Sequence, residues 1–579
     1  MFYQLPESLQ PEIDALEKLI VDFRSGTIDA STLKAHRVPF GIYEQRTNGI
    51  YMARVRCPGG MITPDQLTGV ARLSDKYGNG EIHITTRQEL QIHGLLVDRL
   101  IPLQRDLLKE GLSTRGGGGN TVRNVIVSPE SGIDPDEVFD VSPHACALTT
   151  RLIADPGSWF LPRKFKIAFS CCARDSGYAR FNDVGFIARI RDGVRGFRVY
   201  VAGGMGSKPE VGHLLEDFIP ERQVFAVAEA VKRVFSRHGN RKNRHAARLR
   251  FLWRELGEER FRSLYQAEMA ELQDCELPKS ELEVQPVARV DAVPHIEPIA
   301  KGADCALWKS RFVAEQKQDG LFSVLIPVLF GNVSTSSIVA LAEFLHRLGP
   351  DVVRLTIGQN LQLRNIPEQS LVGTFEVVRG LFELSTAARF LGDAIACTGA
   401  DTCKLGICLP RGALQAVQER LRRSNLDLDR LAGCRLNLSG CPNSCGQHPL
   451  ADLGFYGRAG RNNEVLYPEY NVVAGAVVGE HAPQFAEALG RVSARDLPEF
   501  VHELIVRFLS GQPRFESFRH YLQTEGKQDI RALCEQFRKI PDFEADQNYY
   551  YDWGAKAQFR LEGKGGGECA AGLLWIPEK

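Results

Sequence analysis

The stretch HITTRQELQIHG, residues 83–94, has a counterpart in the same chain in RLTIGQNLQLRN, residues 354–365. The two segments align without a gap and share four identities: Thr85 with Thr356, Gln88 with Gln359, Leu90 with Leu361, and Gln91 with Gln362. Apolar and polar side chains alternate in both segments, which is the pattern of a β-strand. Such a match between distant segments predicts two copies of one structural unit.

Similar elements precede both segments. Residues 63–78, TPDQLTGVARLSDKYG, and residues 334–349, STSSIVALAEFLHRLG, are amphipathic stretches that each predict a helix ending at a glycine. Before these helices lie the strand-like runs GIYMARVRCPGG at 49–60 and LFSVLIPVLFG at 321–331. Each copy therefore has the order strand, helix, strand, which predicts a small α+β unit of the ferredoxin-like kind.

The repeat continues further along the chain. KIAFSCCARDSGYARFNDVGFIARI at 166–190 aligns with RLNLSGCPNSCGQHPLADLGFYGRA at 435–459, matching Ser170 with Ser439, Cys172 with Cys441, and Phe186 with Phe455. Two copies of a two-part module are therefore predicted. The first copy carries positive charge where the second copy carries cysteine.

Composition limits the classes of function. The 579 residues are 44% hydrophobic, which suffices for the cores of several domains, and 71 Lys and Arg balance 71 Asp and Glu. No window reaches the ~18 apolar residues of a membrane helix, and the N-terminus lacks a signal-peptide pattern. The most basic run, residues 237–250, has no interleaved aromatic residues. We therefore predict a cytoplasmic protein that binds neither membranes nor nucleic acid.

Four cysteines stand apart from the rest of the 14. Cys397 and Cys403 have the spacing C-x5-C, and Cys441 and Cys445 the spacing C-x3-C, in loops rich in glycine. Four thiolates from two loops can hold a [4Fe–4S] cluster. Zinc sites usually use pairs two to four residues apart, which only the second pair satisfies. The spacing alone leaves an iron–sulfur cluster, a zinc site and plain buried thiols open.

Three motifs together with these cysteines resemble one known family. TTRQELQIHG at 85–94, LPRKFK at 161–166 and SGCPNSCG at 439–446 are similar to segments of the sirohaem-containing sulfite and nitrite reductases, and the resemblance covers about residues 40–535. It implies that Cys397, Cys403, Cys441 and Cys445 bind a [4Fe–4S] cluster. It also implies that Cys445 ligates the sirohaem iron, so that the two cofactors share one thiolate.

The repeats and the resemblance together predict the fold. We expect an α+β fold with a pseudo-two-fold repeat of a ferredoxin-like half-domain, a mixed α/β sirohaem-binding domain and a helical C-terminal extension. The predicted parts are an N-terminal arm (1–38), the first half-domain (39–110), the first sirohaem- and substrate-binding domain (111–295), the second half-domain (296–376), the cluster- and sirohaem-binding domain (377–485), and the extension and tail (486–579).

The first copy supplies the cations that a small oxyanion requires. By resemblance, Arg54, Arg123, Lys164 and Lys166 bind the substrate and supply protons. Alternation in KFK directs both lysines to one side of a strand, where mutual repulsion lowers at least one pKa. A lone K-x-K pair is more typical of a solvated strand face, but here it accompanies the other motifs.

Other polar residues are predicted to hold the cofactors. Four consecutive glycines in STRGGGGNTVRN, residues 113–124, are expected to expose backbone amides to anions, and a flexible surface loop is the alternative. The resemblance implies a cofactor-binding set, in which Arg248 meets cofactor carboxylates, that consists of Thr85, Arg87, Gln91, His93, Asn120, Arg248, Asn443 and Cys445.

Two features indicate different substrates. Lys166 resembles the sulfite reductases, whereas CTGADTC at 397–403 resembles the nitrite-reducing branch. A pocket residue bears more directly on the substrate, so we predict an assimilatory sulfite reductase, with nitrite reductase as the alternative. A non-reductive sirohaem protein is a third hypothesis, which the complete cation group disfavours.

The electron donor is predicted to be a separate protein. The sequence has no G-x-G-x-x-G nicotinamide fingerprint after a strand and no C-x2-C-x2-C-x3-C ferredoxin run. We therefore expect ferredoxin or a flavoprotein to supply the electrons.

Overall fold

The computed structural model describes residues 3–283, 303–511, 513–561 and 565. Its strands are β1 Ile42–Glu44, β2 Tyr51–Val55, β3 Glu81–Ile84, β4 Leu90–Leu95, β5 Ile126–Val127, β6 Ile167–Ser170, β7 Val184–Arg191, β8 Val194–Val201, β9 His213–Pro220, β10 Val313–Glu315, β11 Leu321–Ile326, β12 Asn332–Ser334, β13 Val353–Leu355, β14 Leu361–Pro367, β15 Ile395–Ala396, β16 Leu436–Ser439, β17 Leu453–Asn462, β18 Val465–Ala474 and β19 Glu487–Ser493.

The α-helices lie between and outside these strands. They are α1 Leu9–Arg24, α2 Ala30–Arg37, α3 Pro64–Tyr77, α4 Leu100–Lys109, α5 Ser142–Ala154, α6 Val224–His238, α7 Leu249–Glu271, α8 Lys279–Leu282, α9 Ala303–Phe312, α10 Thr335–His346, α11 Leu371–Leu381, α12 Arg389–Gly392, α13 Pro410–Arg422, α14 Leu497–Ser510, α15 Phe518–Tyr521 and α16 Lys527–Gln536. No helix in the described part of the chain has both the length and the apolar character needed to cross a bilayer.

The strands form four sheets in two matching pairs. The half-domain sheets have the orders β1-β2-β4-β3-β12 and β10-β11-β14-β13, and all their described pairings are antiparallel. The other two have the orders β5-β6-β7-β8-β9 and β15-β16-β17-β18-β19, each with two parallel pairings followed by two antiparallel ones. The predicted α+β class and pseudo-two-fold repeat are confirmed.

The two half-domains share one apolar core. Helix α3 begins with a capping box in which the Thr63 hydroxyl accepts from the Gln66 amide. Leu67 and Val70 of this helix belong to the same buried cluster as Leu341 of α10, and the two helices pack against each other.

The half-domains also exchange backbone pairings at their edges. Asn332 of β12 pairs with His83 of β3, and Met61 forms an isolated antiparallel bridge with Arg354 of β13. The alignment that matches His83 with Arg354 also matches Met61 with Asn332. The two pairings are therefore related by the same pseudo-two-fold axis as the repeat.

The glutamines shared by the two segments make a second reciprocal contact. Gln88 and Gln359 occupy equivalent tight turns with positive φ, 57° and 62°. The Gln88 side-chain amide donates to the Leu355 carbonyl (3.0 Å), and the Gln359 amide donates to the Ile84 carbonyl (3.2 Å). Each glutamine thus satisfies a backbone oxygen of the other copy, which explains in physical terms why both copies carry it.

The C-terminal extension packs on the body of the protein. Helices α14 and α16 follow β19, which pairs with β18 although the predicted boundary at 485 assigns it to the extension. Beyond them, the Asp552 carboxylate accepts from the Leu409 amide (2.7 Å), and the Trp553 indole donates to the Ala494 carbonyl (2.6 Å). The predicted boundary between 295 and 296 and the thiol of Cys569 lie outside the described residues, and the domain boundaries stay predictions.

Candidate functional site

A cavity of about 240 Å³ lies where the two copies meet. Its walls come from the first half-domain, from Gln359 of the second half-domain, from the strands and loops of the first cofactor domain, and from both cysteine loops. The predicted residues on its walls are Arg54, Thr85, Arg87, Gln91, His93, Arg123, Lys164, Lys166, Arg248, Cys397, Cys403, Asn443 and Cys445. Residues up to about 390 positions apart in the sequence are thus brought to one site.

Arg123 is held by the tetraglycine loop. Its guanidinium donates to the carbonyls of Gly117 (3.1 Å) and Gly119 (3.1 Å) and to the Tyr43 hydroxyl (3.2 Å). This differs from the predicted exposure of amides to anions, because the amide of Gly117 donates to Thr114 O and that of Gly119 to Tyr43 Oη. A side chain at Gly118 would meet the Val38 carbonyl at 2.1 Å, so the loop needs glycine for this close approach.

Asn120 differs from the other predicted cofactor residues. It does not line the cavity, and its side-chain oxygen accepts from Arg163 (3.4 Å). Its backbone carbonyl accepts from the Leu161 amide (2.9 Å). Asn120 therefore joins the tetraglycine loop to the segment that leads into the two lysines, and the prediction that it contacts the cofactor is not supported.

Lys164 and Lys166 both reach the cavity, while Phe165 between them is buried in the apolar core on the other side. Burial, followed by the positive charges of Arg87, Lys164 and Arg248, holds the pKa of Lys166 well below its usual value. The lowered pKa makes the Lys166 ammonium a better acid than an ordinary lysine.

Asp183 holds two members of the cation group, Lys166 and Arg248, in position through hydrogen bonds. This fully buried carboxylate accepts from the Lys166 backbone amide (2.9 Å) and from the Arg248 guanidinium (2.8 Å). Arg248 is thereby fixed at the cavity wall, and its contact with cofactor carboxylates stays a prediction.

Arg87 is buried and only partly paired. It donates to Asn182 Oδ1 (3.1 Å) and to the Asn124 carbonyl, while its Nε has no hydrogen-bond partner among the described atoms. Burial lowers its pKa to about 10. A buried guanidinium with an unused donor beside a cavity fits an anionic ligand, because such a donor is costly to leave unsatisfied.

A chain of polar side chains follows β4. With the Gln91 amide oriented to satisfy its neighbours, its oxygen accepts from Arg54 (2.9 Å) and its nitrogen donates to His93 Nε2 (3.0 Å). Burial and nearby arginines lower the pKa of His93 to about 3, so its imidazole is neutral at pH 7. Arg54 also forms an ion pair with buried Glu89 (3.7 Å).

Thr85 has a local role in addition to lining the cavity. Its hydroxyl oxygen accepts from the backbone amides of Arg87 (3.2 Å) and Glu89 (3.1 Å). Thr356 does the same for Asn360 (3.0 Å) in the second copy. The shared threonines therefore stabilise the tight turns that carry the shared glutamines.

The two cysteine loops are held close together by their backbones. The Gly440 amide donates to the Cys397 sulfur (3.1 Å), and the Ile407 and Cys408 amides donate to the Gly440 carbonyl. A side chain at Gly440 would lie 2.6 Å from the Gly399 Cα, so both positions require glycine. Cys445 is exposed at the cavity, whereas Cys441 is buried behind it.

Two hydrogen bonds connect the first copy to the turn that ends at Cys445. The Thr86 hydroxyl donates to the Cys445 carbonyl (3.0 Å), and the Gln447 side-chain amide donates to the Thr86 carbonyl (3.2 Å). This pair was not predicted from the sequence, although Thr86 lies within the TTRQ motif.

Two further cations were missed. Lys404, next to Cys403, lines the cavity and pairs with Glu44 (2.5 Å), and the Arg46 amide donates to the Thr402 carbonyl (2.7 Å). Lys404 could have been predicted from its position next to Cys403, a predicted cluster ligand. Arg46 contacts the loop only through the tertiary fold.

The residues present fit the cofactors that the resemblance implies. Three of the four predicted ligand thiols, those of Cys397, Cys403 and Cys445, line the cavity, and Cys441 lies in the same turn as Cys445. The cavity wall carries far more positive than negative side chains, and its carboxylates are Glu44 and Glu89. Its cations are Arg54, Arg87, Arg123, Lys164, Lys166, Arg248 and Lys404. Such an excess suits a polycarboxylate macrocycle together with an oxyanion.

Comparisons with known proteins agree with this geometry. A family model described as the nitrite and sulphite reductase 4Fe-4S domain matches residues 118–272, and the nitrite/sulfite reductase ferredoxin-like half domain matches residues 43–110 and 314–378. The chain is 32% identical to a ferredoxin–nitrite reductase of Synechococcus elongatus over 479 residues, covering 81% of this chain and 88% of that protein.

Relatives named as sulfite reductases match over a similar share of the chain. A sulfite reductase (ferredoxin) of Mycobacterium tuberculosis is 27% identical over 532 residues, covering 87% of this chain and 91% of that protein. The solved structure of the Mycobacterium tuberculosis NirA protein superposes with a TM-score of 0.74 at 26% identity, covering 90% of this chain and 97% of that chain.

Proposed function

Because this chain belongs to the nitrite and sulfite reductase family, we propose that it is an assimilatory sulfite reductase that reduces sulfite to sulfide with six electrons. The chain is an oxidoreductase, and the family's cofactors, a sirohaem and a [4Fe–4S] cluster, are its cofactors. We place the reaction in the cytoplasm, a reducing compartment that keeps free thiols available as ligands.

The observation that carries the proposal is the meeting of cations and thiols in one cavity. Arg54, Arg123, Lys164 and Lys166 line the same cavity as Cys445. An oxyanion held by these cations is next to the thiol that the resemblance assigns to both metal centres. The cation group comes from the first copy and the thiols from the second, so neither copy forms the site alone.

We assign the cofactor-binding residues as follows. Cys397, Cys403, Cys441 and Cys445 hold the cluster, with Cys445 shared with the sirohaem, and the macrocycle carboxylates are neutralised by Arg87, Arg248 and Lys404. When bound, the two cofactors supply the stored electrons and the metal at which the substrate is reduced.

The side chains supply charge and protons. Arg123, fixed by glycine carbonyls, and Arg54, fixed by Gln91 and Glu89, offer guanidinium donors to the substrate oxygens. Lys166 donates one of the two protons that a departing oxygen needs to leave as water, and its lowered pKa favours this transfer.

The preference for sulfite depends on Lys166, and nitrite is the second candidate. A second lysine in KFK gives the cavity one more cation, which favours the more highly charged anion. The nitrite alternative is supported by the CTGADTC loop and by the Synechococcus elongatus relative, a nitrite reductase at 32% identity.

The test is kcat/KM for sulfite and for nitrite with chemically reduced viologen as donor, on protein whose absorption spectrum contains sirohaem. A clear preference for sulfite supports the proposal. A clear preference for nitrite replaces it with the second candidate. Activity with neither anion, at full cofactor occupancy, favours a non-reductive sirohaem protein.

For the donor we propose a ferredoxin with an acidic surface rather than a flavoprotein. Both relatives are named as ferredoxin enzymes. A surface groove of about 460 Å³ contains two carboxylates, Glu469 and Glu535, and a larger number of arginines: Arg458, Arg461, Arg491, Arg531 and Arg538. The Arg458 carbonyl accepts from the Cys408 thiol (3.4 Å), and Cys408 in turn contacts Gly440, next to Cys441. The groove therefore adjoins the cluster loops.

Charge-reversal variants can distinguish the docking of ferredoxin from the reduction of the substrate. Arg461→Glu together with Arg491→Glu should raise KM for ferredoxin, steeply so at low salt, because rim charges act mainly on association. Turnover with reduced viologen should not change, and Arg24→Glu together with Arg72→Glu, exposed on α1 and α3, is the matched control. Unchanged ferredoxin kinetics in the double variant would reject this groove as the docking site.

A further inference from the structure

The first copy contains a counterpart of each cluster cysteine. The strand pairing Ile126 with Ala168 has the same register as Ile395 with Asn437, so the repeat alignment extends to both loops. It matches the four cysteines with four residues that also carry oxygen or sulfur donors: Cys397 with Ser128, Cys403 with Asp134, Cys441 with Cys172, and Cys445 with Ser176.

The backbone frame of the two loops is the same. The Cys171 amide donates to Ser128 Oγ (3.3 Å), as the Gly440 amide donates to Cys397 Sγ (3.1 Å). The Asp134 amide donates to the Glu130 carbonyl (2.9 Å), as the Cys403 amide donates to the Gly399 carbonyl (3.0 Å). The frame that presents metal ligands in the second copy is therefore also built in the first.

The first copy adds one thiol to this frame. Where the second copy has Gly440, which has no room for a side chain, the first copy has Cys171. The ligand atoms of Asp134, Cys171 and Cys172 all lie within 4.8 Å of one another, and all three side chains are buried. The Cys171 sulfur is 4.0 Å from Asp134 Oδ2.

We propose that Asp134, Cys171 and Cys172 bind a single zinc ion, separate from the cluster and the sirohaem. A tetrahedral zinc with Zn–S of about 2.3 Å and Zn–O of about 2.1 Å places its ligand atoms about 3.6–3.8 Å apart. The three side chains therefore need to move only slightly towards one another to bind the ion. Water takes the fourth position. The ion ties the loop at residues 128–137 to the turn after β6.

The charges of the site balance around a divalent ion. Two thiolates and one carboxylate carry three negative charges, of which zinc neutralises two, while the Arg174 guanidinium, which Asp134 shares with the exposed Asp136, pairs with the third. Arg174 forms ion pairs with Asp134 and, at 3.1 Å, with Asp136. Burying thiolates and carboxylates costs free energy unless positive charge lies next to them, and here the zinc ion and Arg174 supply that charge.

The test begins with the metal content of the holoenzyme. After exposure to ZnCl₂ and gel filtration, elemental analysis should find about one zinc per chain in addition to the iron. X-ray absorption at the zinc edge should resolve two sulfur scatterers at about 2.3 Å and lighter scatterers at about 2.0 Å. A holoenzyme without retained zinc overturns the proposal. So does zinc with four sulfur neighbours that rises as iron falls, because that zinc occupies the cluster loops.

Variants assign the ligands. Cys172→Ser and Asp134→Asn should each lower retained zinc by at least about tenfold while iron content and sirohaem absorbance stay at the wild-type level. Cys146→Ser, at a buried thiol outside the set, should retain zinc. Equal zinc retention in all three variants would reject these ligands. The X-ray absorption spectrum of the wild-type protein at the zinc edge tests the proposal even where a variant does not fold.

Discussion

Replacing Lys166 by Asn tests the residue on which substrate preference depends. The Asn side chain is shorter and neutral, so it removes one of the four cations proposed to hold the substrate, while Arg54, Arg123 and Lys164 remain. The hydrogen bond from Lys166 to Asp183 comes from its backbone amide, which Asn retains. The replacement should therefore leave the cation framework in place.

The size of the effect follows from the lost contact. A hydrogen bond to a charged group contributes about 1.5–3 kcal/mol. Its loss should lower kcat/KM for sulfite by about 10- to 150-fold, since about 1.4 kcal/mol corresponds to a factor of ten. Nitrite carries less charge and should lose less than about tenfold, so the ratio of the two kcat/KM values should move towards nitrite.

The assay is the reduced-viologen measurement of both substrates, with sirohaem absorbance as the control for cofactor occupancy. The pH profile gives a second readout. Lys166 loses its proton as pH rises through its lowered pKa, so wild-type kcat/KM for sulfite should fall there. Lys166→Arg stays charged and should shift this fall to higher pH. Equal losses for sulfite and nitrite at full occupancy would refute the reasoning.

Three further predictions follow from contacts described above. Gln88→Ala leaves two buried backbone groups, Leu355 O and Val127 N, without partners and should destabilise the protein by about 2–6 kcal/mol in urea unfolding. Gln359→Ala removes the partner of only one such group, Ile84 O, and is the matched control; equal costs would contradict the additional contribution of the Val127 N contact. Cys445→Ser should deplete both cofactors in absorption and iron analysis, whereas full retention of a coupled centre would exclude a shared thiolate. Burial lowers the pKa of His448 to about 3, so the unfolded state binds more protons between about pH 3 and 6.5, and stability decreases as the pH falls through that window. His448→Gln should remove about 2 kcal/mol of that loss at pH 5, and an unchanged pH dependence would argue against a neutral buried imidazole.

The sequence predicted the repeat because the shared residues have local tasks. Thr85 and Thr356 stabilise their own turns, and Gln88 and Gln359 occupy the positive-φ position within them. Local patterns of this kind leave a signature in short segments. The cysteine loops were predictable for the same reason, because close backbone contact requires glycine beside the ligands.

Features that depend on distant pairing were not predictable from local patterns. Nothing near Asn332 indicates that it pairs with His83, and Arg46 reaches the Thr402 carbonyl only in the folded chain. The tetraglycine loop was assigned the wrong polarity, because sequence shows that the backbone comes close but not whether amides or carbonyls face the site. Here the carbonyls of Gly117 and Gly119 face Arg123.

The exchanged edge pairings have a consequence for the origin of the site. Asn332 with His83 and Met61 with Arg354 are the two corresponding halves of an isologous contact, as in a homodimer of identical subunits. A symmetric dimer must carry every residue twice, and so builds each centre twice. Joining the subunits in one chain releases the copies from this constraint. One copy can then specialise in binding anions and the other in binding iron, so that a single asymmetric centre takes the place of two identical ones.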